Sequence, residues 1–218
     1  MSNNKFEITA LAHETYPFLH RIRALRDIGD EVKTGDLGGF VEHEGNLSFE
    51  PRDEAWIFND AISAGNACVD KDSQLRDSAV VCDSACVSRG SVISGHARVE
   101  DSAYVRNAVI RDHARASGSS MILEAAESHN LSPVLSGSSC VYGKIQGNIH
   151  VSGNALVFSS EEYRNDSRDM FLLDERGRSV LRDPSRDRLT PKFPPDEQVR
   201  TTAGKAARSA RKRREPGR

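Results

Sequence analysis

Residues 94–120 read SGHARVEDSAYVRNAVIRDHARASGSS, and small, aliphatic and turn-forming residues recur in them about every six positions. In the segment ARVE, Ala97 and Val99 alternate with charged residues, which is the two-residue period of a strand with one buried face. The next two positions hold residues such as Asp and Ser, and Gly, Asn and Asp tolerate the positive φ of tight corners. A period of six would spiral around an α-helix, so the stretch predicts very short strands joined by corners.

The same spacing extends along the chain. Its aliphatic positions are Ile57, Val69, Leu75, Val81, Val87, Ile93, Val99 and Val105, with Ser63 in the one remaining slot. Three sides of six residues close one coil of a solenoid, and successive coils stack about 4.8 Å apart through parallel strand pairing. We therefore predict a three-sided solenoid of about six coils between Ile57 and Val157.

The spacing slips by one residue in VRNAVI, residues 105–110, which predicts a tightened corner at Asn107. Continued past this point, the count predicts that Val134 and Val151 lie on the second face of the solenoid. It also predicts that Val157 lies on the third face.

The repeat resembles the left-handed parallel β-helix of hexapeptide-repeat proteins, in which an aliphatic residue comes first and a small residue fifth. This resemblance covers residues 55–158. Upstream, RIRALRDIGDEVKTGDLGGFVEHEGNLS (residues 21–48) and EAWIFNDA (residues 54–61) are similar to the start of YdcK-like bacterial and prophage proteins, often labelled transferases. The resemblance implies an all-β fold, a single-stranded left-handed parallel β-helix with a triangular cross-section.

The chain divides into four segments by composition and pattern. Residues 1–54 are expected to form an N-terminal β cap, because a solenoid exposes unpaired backbone at its ends. Residues 55–158 form the β-helix, and residues 159–183 are expected to form a capping hairpin or strand. Residues 184–218 combine a proline-rich linker with a basic tail that we expect to be disordered.

Charge is distributed unevenly along the chain. From residue 200 onward, eight Arg or Lys stand against the single Glu215, which gives +7; the total of −2 therefore leaves −9 for the preceding residues. The run from Arg208 to Arg214 is either a solubilising tail or an arm that contacts an anionic or protein partner.

Several classes of protein are disfavoured by the sequence. The chain has no apolar run of 18 residues, and its start lacks the basic-then-apolar order of a secretion signal, so we expect neither a membrane span nor export. The expected location is the cytoplasm. The four cysteines show no CxxC spacing, which favours free thiols, and no metal site is predicted.

Two histidines are the candidate catalytic residues. Several enzymes of the resembled superfamily are acyltransferases that use a histidine as general base between subunits. His96 and His113 occupy the same turn position one coil apart, so their rings are expected to stack on one edge. The alternative is that histidine, like Asn and Asp, simply suits a corner. No cofactor is predicted, except an acyl donor such as acyl-coenzyme A if the chain is an acyltransferase.

The outward positions of the predicted third face are unusually apolar, which indicates contact with another surface. Its interface residues are predicted to be Tyr104, Met121, Leu123, Val141, Leu156 and Phe158. Either the chain's own C-terminal segment or another subunit covers them; trimers are the usual assembly of the resembled superfamily. The sequence thus favours a non-catalytic homo-oligomeric scaffold or binding module, bacterial or prophage-encoded, over the alternative of an acyltransferase-like enzyme.

Overall fold

The computed structural model describes residues 2–126 and 131–186, and their strands form a parallel β-solenoid of about seven turns. In chain order the strands are β1 (Phe6–Ala12), β2 (His20–Ala24), β3 (Leu37–Val41), β4 (Trp56–Ile57), β5 (Ile62–Ser63), β6 (Cys68–Val69), β7 (Gln74–Leu75), β8 (Val80–Val81), β9 (Cys86–Ser88), β10 (Val92–Ile93), β11 (Arg98–Val99), β12 (Tyr104–Arg106), β13 (Val109–Ile110), β14 (Arg115–Ala116), β15 (Met121–Leu123), β16 (Val134–Leu135), β17 (Cys140–Val141), β18 (Lys144–Gly147), β19 (Ile149–Val151), β20 (Leu156–Val157), β21 (Glu162–Asn165), β22 (Met170–Asp174) and β23 (Gly177–Leu181). One 3₁₀ turn, Glu44–Asn46, follows β3.

Three sheets form the three faces of the solenoid. The first face runs β4-β7-β10-β13-β16-β19-β22-β23, the second β1-β2-β3-β5-β8-β11-β14-β17-β20, and the third β6-β9-β12-β15-β18-β21. Neighbouring coils pair in register, for example Ile93 with Leu75 and Val99 with Val81. The strands of the coils therefore bury their inward aliphatic residues in a continuous core, and the all-β solenoid predicted from the spacing is confirmed.

The corners use the backbone conformation that their residue types predict. At the corner between the first and second faces, Asn59, Asp77 and Asp112 have φ of 53°, 60° and 64°. Their side chains also link the coils, because Asp77 Oδ2 accepts a hydrogen bond from the Gly95 N–H at 2.8 Å and Asp112 Oδ2 accepts one from Gly137 at 2.9 Å. Asp thus serves twice, by tolerating the turn and by satisfying a backbone donor of the next coil.

The tightened corner at Asn107 is confirmed. Asn107 has φ 47°, and its N–H donates to the carbonyl of Ser88 at 3.1 Å. The next strand returns to register, with Ile110 paired to Ile93. A coil one residue shorter is thus accommodated within a single corner.

The face assignments predicted beyond residue 124 are wrong. Val134 and Val151 lie on the first face, in β16 and β19, and Val157 lies on the second face, in β20. Residues 124–133 separate β15 from β16, which shifts the count; residues 127–130 of this segment lie outside the described residues. A second shift arises at Gly143, where the corner is shortened and a Cβ would collide with the carbonyl oxygens of Phe158 and Glu161.

The N-terminal cap extends the second face. β1, β2 and β3 pair antiparallel, and β3 then joins the solenoid through parallel pairing with β5. Phe6 packs edge-on against Trp56, with 6.5 Å between the ring centroids, and both side chains are buried. The cap therefore continues the hydrophobic core and covers the first coil.

At the other end, β21 and β22 continue the third and first faces, and β22 folds back into β23 as a hairpin. A second compact unit begins at Asp183, and its described part contains the 3₁₀ turn Pro184–Arg186. The predicted basic tail, Arg208 to Arg214, lies outside the described residues. Within residues 2–126 and 131–186, no helix has the length and apolar character required to cross a membrane.

Candidate functional site

His96 and His113 form a stacked pair at the corner between the first and second faces. Their ring centroids are 5.1 Å apart and the ring planes are inclined by 11°, which confirms the predicted stacking. The backbone N–H of His96 donates to Asp112 O at 2.7 Å, and that of His113 donates to Gly137 O at 2.8 Å. Both side chains are exposed, so the corner presents two parallel imidazoles to the outside.

The carboxylates beside this pair are engaged with the backbone. Asp77 and Asp112 each accept a hydrogen bond from an N–H of the next coil, as described above. Orientation of a general base commonly relies on such a neighbouring carboxylate. These hydrogen bonds show that the two carboxylates stabilise the corners. The catalytic role of the two histidines stays a prediction.

A serine–histidine contact was not predicted from the sequence. The Ser136 hydroxyl and His150 Nε2 are 2.8 Å apart on the first face, and Ser136 is buried. Burial, and then the charge of Arg111, lower the pKa of His150. The neutral imidazole is therefore favoured, and its Nε2 can accept a hydrogen bond from the Ser136 hydroxyl when the ring proton is on Nδ1. Sequence reasoning missed this contact because it misplaced β16 and β19, the strands beyond residue 124 that bring the two residues together.

The six predicted interface residues do not form one surface. Tyr104 and Met121 lie outward on the third face, as Cα partners in β12 and β15. Val141 is buried at 0% exposure, so the prediction that it faces outward is wrong. Leu123 flanks the core residue Ile122 on the same side as Met121, but it is buried at 9% exposure and is therefore covered within the chain. Leu156 and Phe158 are exposed but belong to the second face. The shift beyond residue 124 explains the errors at Val141, Leu156 and Phe158, since it moved β17 and β20 to another sheet and turned Val141 inward.

One group of exposed apolar side chains lies at the end of the second face. Tyr142, Leu156 and Phe158, called here the terminal apolar patch, are 37%, 47% and 57% exposed. They are neighbours because Leu156 pairs with Cys140 and the Tyr142 N–H donates to Val157 O at 2.8 Å. Exposed clusters of this kind commonly mark contact surfaces.

A second group of aromatic residues lies on the cap side of the same face. The aromatic loop, residues 13–19, folds over the outer side of β3, where the His13 ring meets the Phe40 ring edge-on at 4.7 Å. Phe40 is thereby buried, while Tyr16 and Phe18 of the loop stay exposed. A hollow of about 470 Å³ separates the loop from Arg21 and Asp60.

Charged side chains lie between the two apolar groups. Arg98 Nε and Arg115 Nε approach the two carboxylate oxygens of Glu100 at 3.0 and 3.4 Å, and the Ser117 hydroxyl also donates to Glu100. This charged strip, Arg98, Glu100 and Arg115, is directly followed along the sheet by the terminal apolar patch. The second face thus combines apolar ends with a mixed-charge centre.

A separate hollow of about 340 Å³ lies at the third corner, which joins the third face to the first, beside Asn107. Its inner wall is Glu124, whose side chain is 1% exposed and binds Arg106 Nε at 2.8 Å and Arg89 Nη1 at 3.4 Å. Burial raises the pKa of Glu124, but the hydrogen bond from Arg106 and the charges of both arginines outweigh it, so the pKa lies below its ordinary value. This network links residues of three successive coils.

Within the described ranges, no group of three or more His, Cys, Asp or Glu side chains is arranged to hold a metal ion. Comparison of the chain with models of known protein families and with curated protein sequences gives no match.

Proposed function

We propose that the chain is a non-catalytic β-solenoid module that assembles with copies of itself, as a trimer, through its second face. The observation that carries the proposal is the terminal apolar patch, because Leu156 and Phe158 stand exposed side by side on a regular sheet face. Burying such side chains in an interface removes apolar surface from water, which is the main driving force for association. The resemblance to hexapeptide-repeat and YdcK-like proteins supports a bacterial or prophage origin and a cytoplasmic location.

The arrangement of the second face favours a second copy of the chain as the occupant. The aromatic loop lies at one end of the face, the terminal apolar patch at the other, and the charged strip carries both signs between them. When copies associate around a rotation axis parallel to the solenoid axis, each coil faces the same coil of the neighbouring copy. Each apolar group therefore meets an apolar group. The mixed-charge strip then meets charges of both signs, so salt bridges can form between copies.

Sedimentation of the full chain and of a charged variant tests this assembly. We expect the wild type to sediment at three times the 24.0 kDa chain mass, and Leu156→Asp with Phe158→Asp to sediment as a monomer, because a buried carboxylate in an apolar interface is strongly unfavourable. Val180→Asp in β23, at a site with 58% exposure, is the matched control and leaves the oligomer intact. A wild-type monomer at micromolar concentration, or dissociation by Val180→Asp alone, contradicts the proposal.

Replacing the stacked histidines separates this proposal from the acyltransferase alternative. We expect His96→Asn and His113→Asn to retain the stability and the oligomeric mass of the wild type, since Asn suits the same corner and lacks the imidazole. Thiol release from acetyl-coenzyme A is measured with a mixture of hydroxyl and amine acceptors. Turnover by the wild type that either variant abolishes, with an unchanged circular dichroism spectrum, would make the pair catalytic and overturn the non-catalytic function.

A further inference from the structure

Two cysteines face each other across adjacent coils of the third face. Cys68 begins β6 and Cys86 begins β9, and the two are Cα partners in an in-register parallel pair. Val69 and Val87, the next residues, point into the core, so both thiols point outward, where they are half-buried. Adjacent strands lie about 4.8 Å apart, which is within the range of Cα separations that a disulfide spans.

The two thiols also interact with each other. The hydrogen bond from the Cys86 thiol lowers the pKa of Cys68, although burial and the charge of Asp70 oppose it. The same hydrogen bond, together with burial, raises the pKa of Cys86. The pair is thus asymmetric, with Cys68 as the more readily ionised thiol and Cys86 as its donor. Thiolates, rather than thiols, are the species that attack disulfides.

The remaining cysteines have different surroundings. Cys140 on the second face pairs with Arg115 and Leu156 in the neighbouring strands. Cys82, also on that face, has its pKa raised to about 12 by burial and by its hydrogen bond to Asp83 Oδ2, at 3.3 Å. Both are half-buried, as Cys68 and Cys86 are, so they are internal controls of similar exposure.

We propose that Cys68 and Cys86 form a redox-active dithiol site that small disulfides of the glutathione class oxidise stoichiometrically, so that the module is redox-sensitive without being a catalyst. The Cys68 thiolate attacks one sulfur of the small disulfide, forming a mixed disulfide and releasing one small thiolate, which takes up a proton. Cys86 then loses its proton and attacks the Cys68 sulfur, which releases the second small thiol. Two cysteine thiols are oxidised by two electrons and the small disulfide is reduced to two thiols, so the exchange is balanced and reversible.

Thiol mapping of the full chain tests the site. The reduced protein is incubated with oxidised glutathione, remaining thiols are alkylated, and the unreduced digest is analysed by mass spectrometry. We expect a Cys68–Cys86 linked peptide within one chain, with Cys82 and Cys140 alkylated. In Cys86→Ser, the reaction is expected to stop at a glutathione adduct on Cys68. In Cys68→Ser, adduct formation at Cys86 is expected to be at least tenfold slower than at Cys68 in Cys86→Ser.

Three results would overturn the proposal. One is retention of free thiols at Cys68 and Cys86 in the native chain, while the same chain in guanidinium chloride reacts at all four cysteines. Another is modification of Cys82 or Cys140 as fast as Cys68. The third is a linkage found only between two chains on a non-reducing gel. The denatured reaction shows that the reagent is competent, so the native result reports the folded site.

Discussion

Replacing Asp53 by alanine is expected to lower the free energy of unfolding by about 4 kcal/mol, because it leaves three backbone N–H groups without their acceptor and the buried Lys5 ammonium without its neighbouring carboxylate. Asp53 is 8% exposed. It accepts hydrogen bonds from the backbone N–H groups of Ala55 at 2.8 Å, Lys71 at 2.8 Å and Asp72 at 2.9 Å. Its Oδ1 also lies 4.0 Å from the Lys5 ammonium.

The position of Asp53 in the solenoid explains the size of this effect. The corners between the third and first faces stack along the solenoid, because the Gly90 N–H of one coil donates to the Lys71 carbonyl of the coil before it. The corner of Lys71 and Asp72, with φ of 48° and 66°, is the first of this column, and the Asp53 carboxylate binds its N–H groups instead. Asp53 therefore caps the stack of third corners.

Chemical denaturation of Asp53→Ala measures the effect, and Asp60→Ala is its control. Asp60 pairs with Arg21, but its side chain is 66% exposed, so we expect a loss of at most about 1 kcal/mol. Equal losses in the two variants would show that Asp53 does not cap the corner.

Lys5 makes the same region sensitive to pH. Its ammonium is fully buried and donates to Ser48 O at 2.8 Å; burial lowers its pKa to about 8, although Asp53 opposes the change. Between pH 8 and 10.5 the unfolded chain therefore binds more protons at Lys5 than the folded chain does, so stability rises with pH across this window. We expect the unfolding free energy of the wild type, minus that of Lys5→Met, to increase from pH 8 to 10.5. A constant difference would contradict the lowered pKa.

Replacing Gly39 by alanine is expected to destabilise the attachment of the cap by about 3 kcal/mol, because the added methyl group has no space. A Cβ at this position would meet the Ala61 carbonyl oxygen and would lie 2.5 Å from Ile57 Cγ2. The strand cannot move away freely, since the N–H of Phe40 donates to that same Ala61 oxygen at 2.9 Å. The contact involves backbone on both sides, so a side-chain rotation does not relieve it.

Hydrogen exchange and denaturation together locate this effect. We expect Gly39→Ala to lose protection in β1, β2 and β3 while the strands beyond β10 keep it. Gly45→Ala is the matched control, because its Cβ would meet only side-chain atoms, those of the His43 ring at 3.1 Å, and no backbone atom; its loss should stay at about 1 kcal/mol or less. Uniform loss of protection along the solenoid would mean that the cap and the coils unfold as one unit.

The sequence by itself determined the coil up to Ile122. Its spacing set Ile57, Leu75 and Ile93 one coil apart, as the strand pairing has them, predicted the tight corner at Asn107, and brought the two histidine rings together. These features depend only on short strands, on corner residues that tolerate positive φ, and on stacking of each coil on the one before. Such nearest-neighbour rules can be read by counting residues.

The tertiary structure alone decided what lies beyond the interruption and at the ends. Counting fails between β15 and β16, because the length of the segment that separates them is not a multiple of the repeat; only packing decides which face receives β17 and turns Val141 inward. The contact of Lys5 with Asp53 and the covering of Phe40 by the aromatic loop likewise join residues distant in the sequence. These contacts form because the first coil has no preceding coil to satisfy its backbone donors and bury its apolar surface, and the cap provides both.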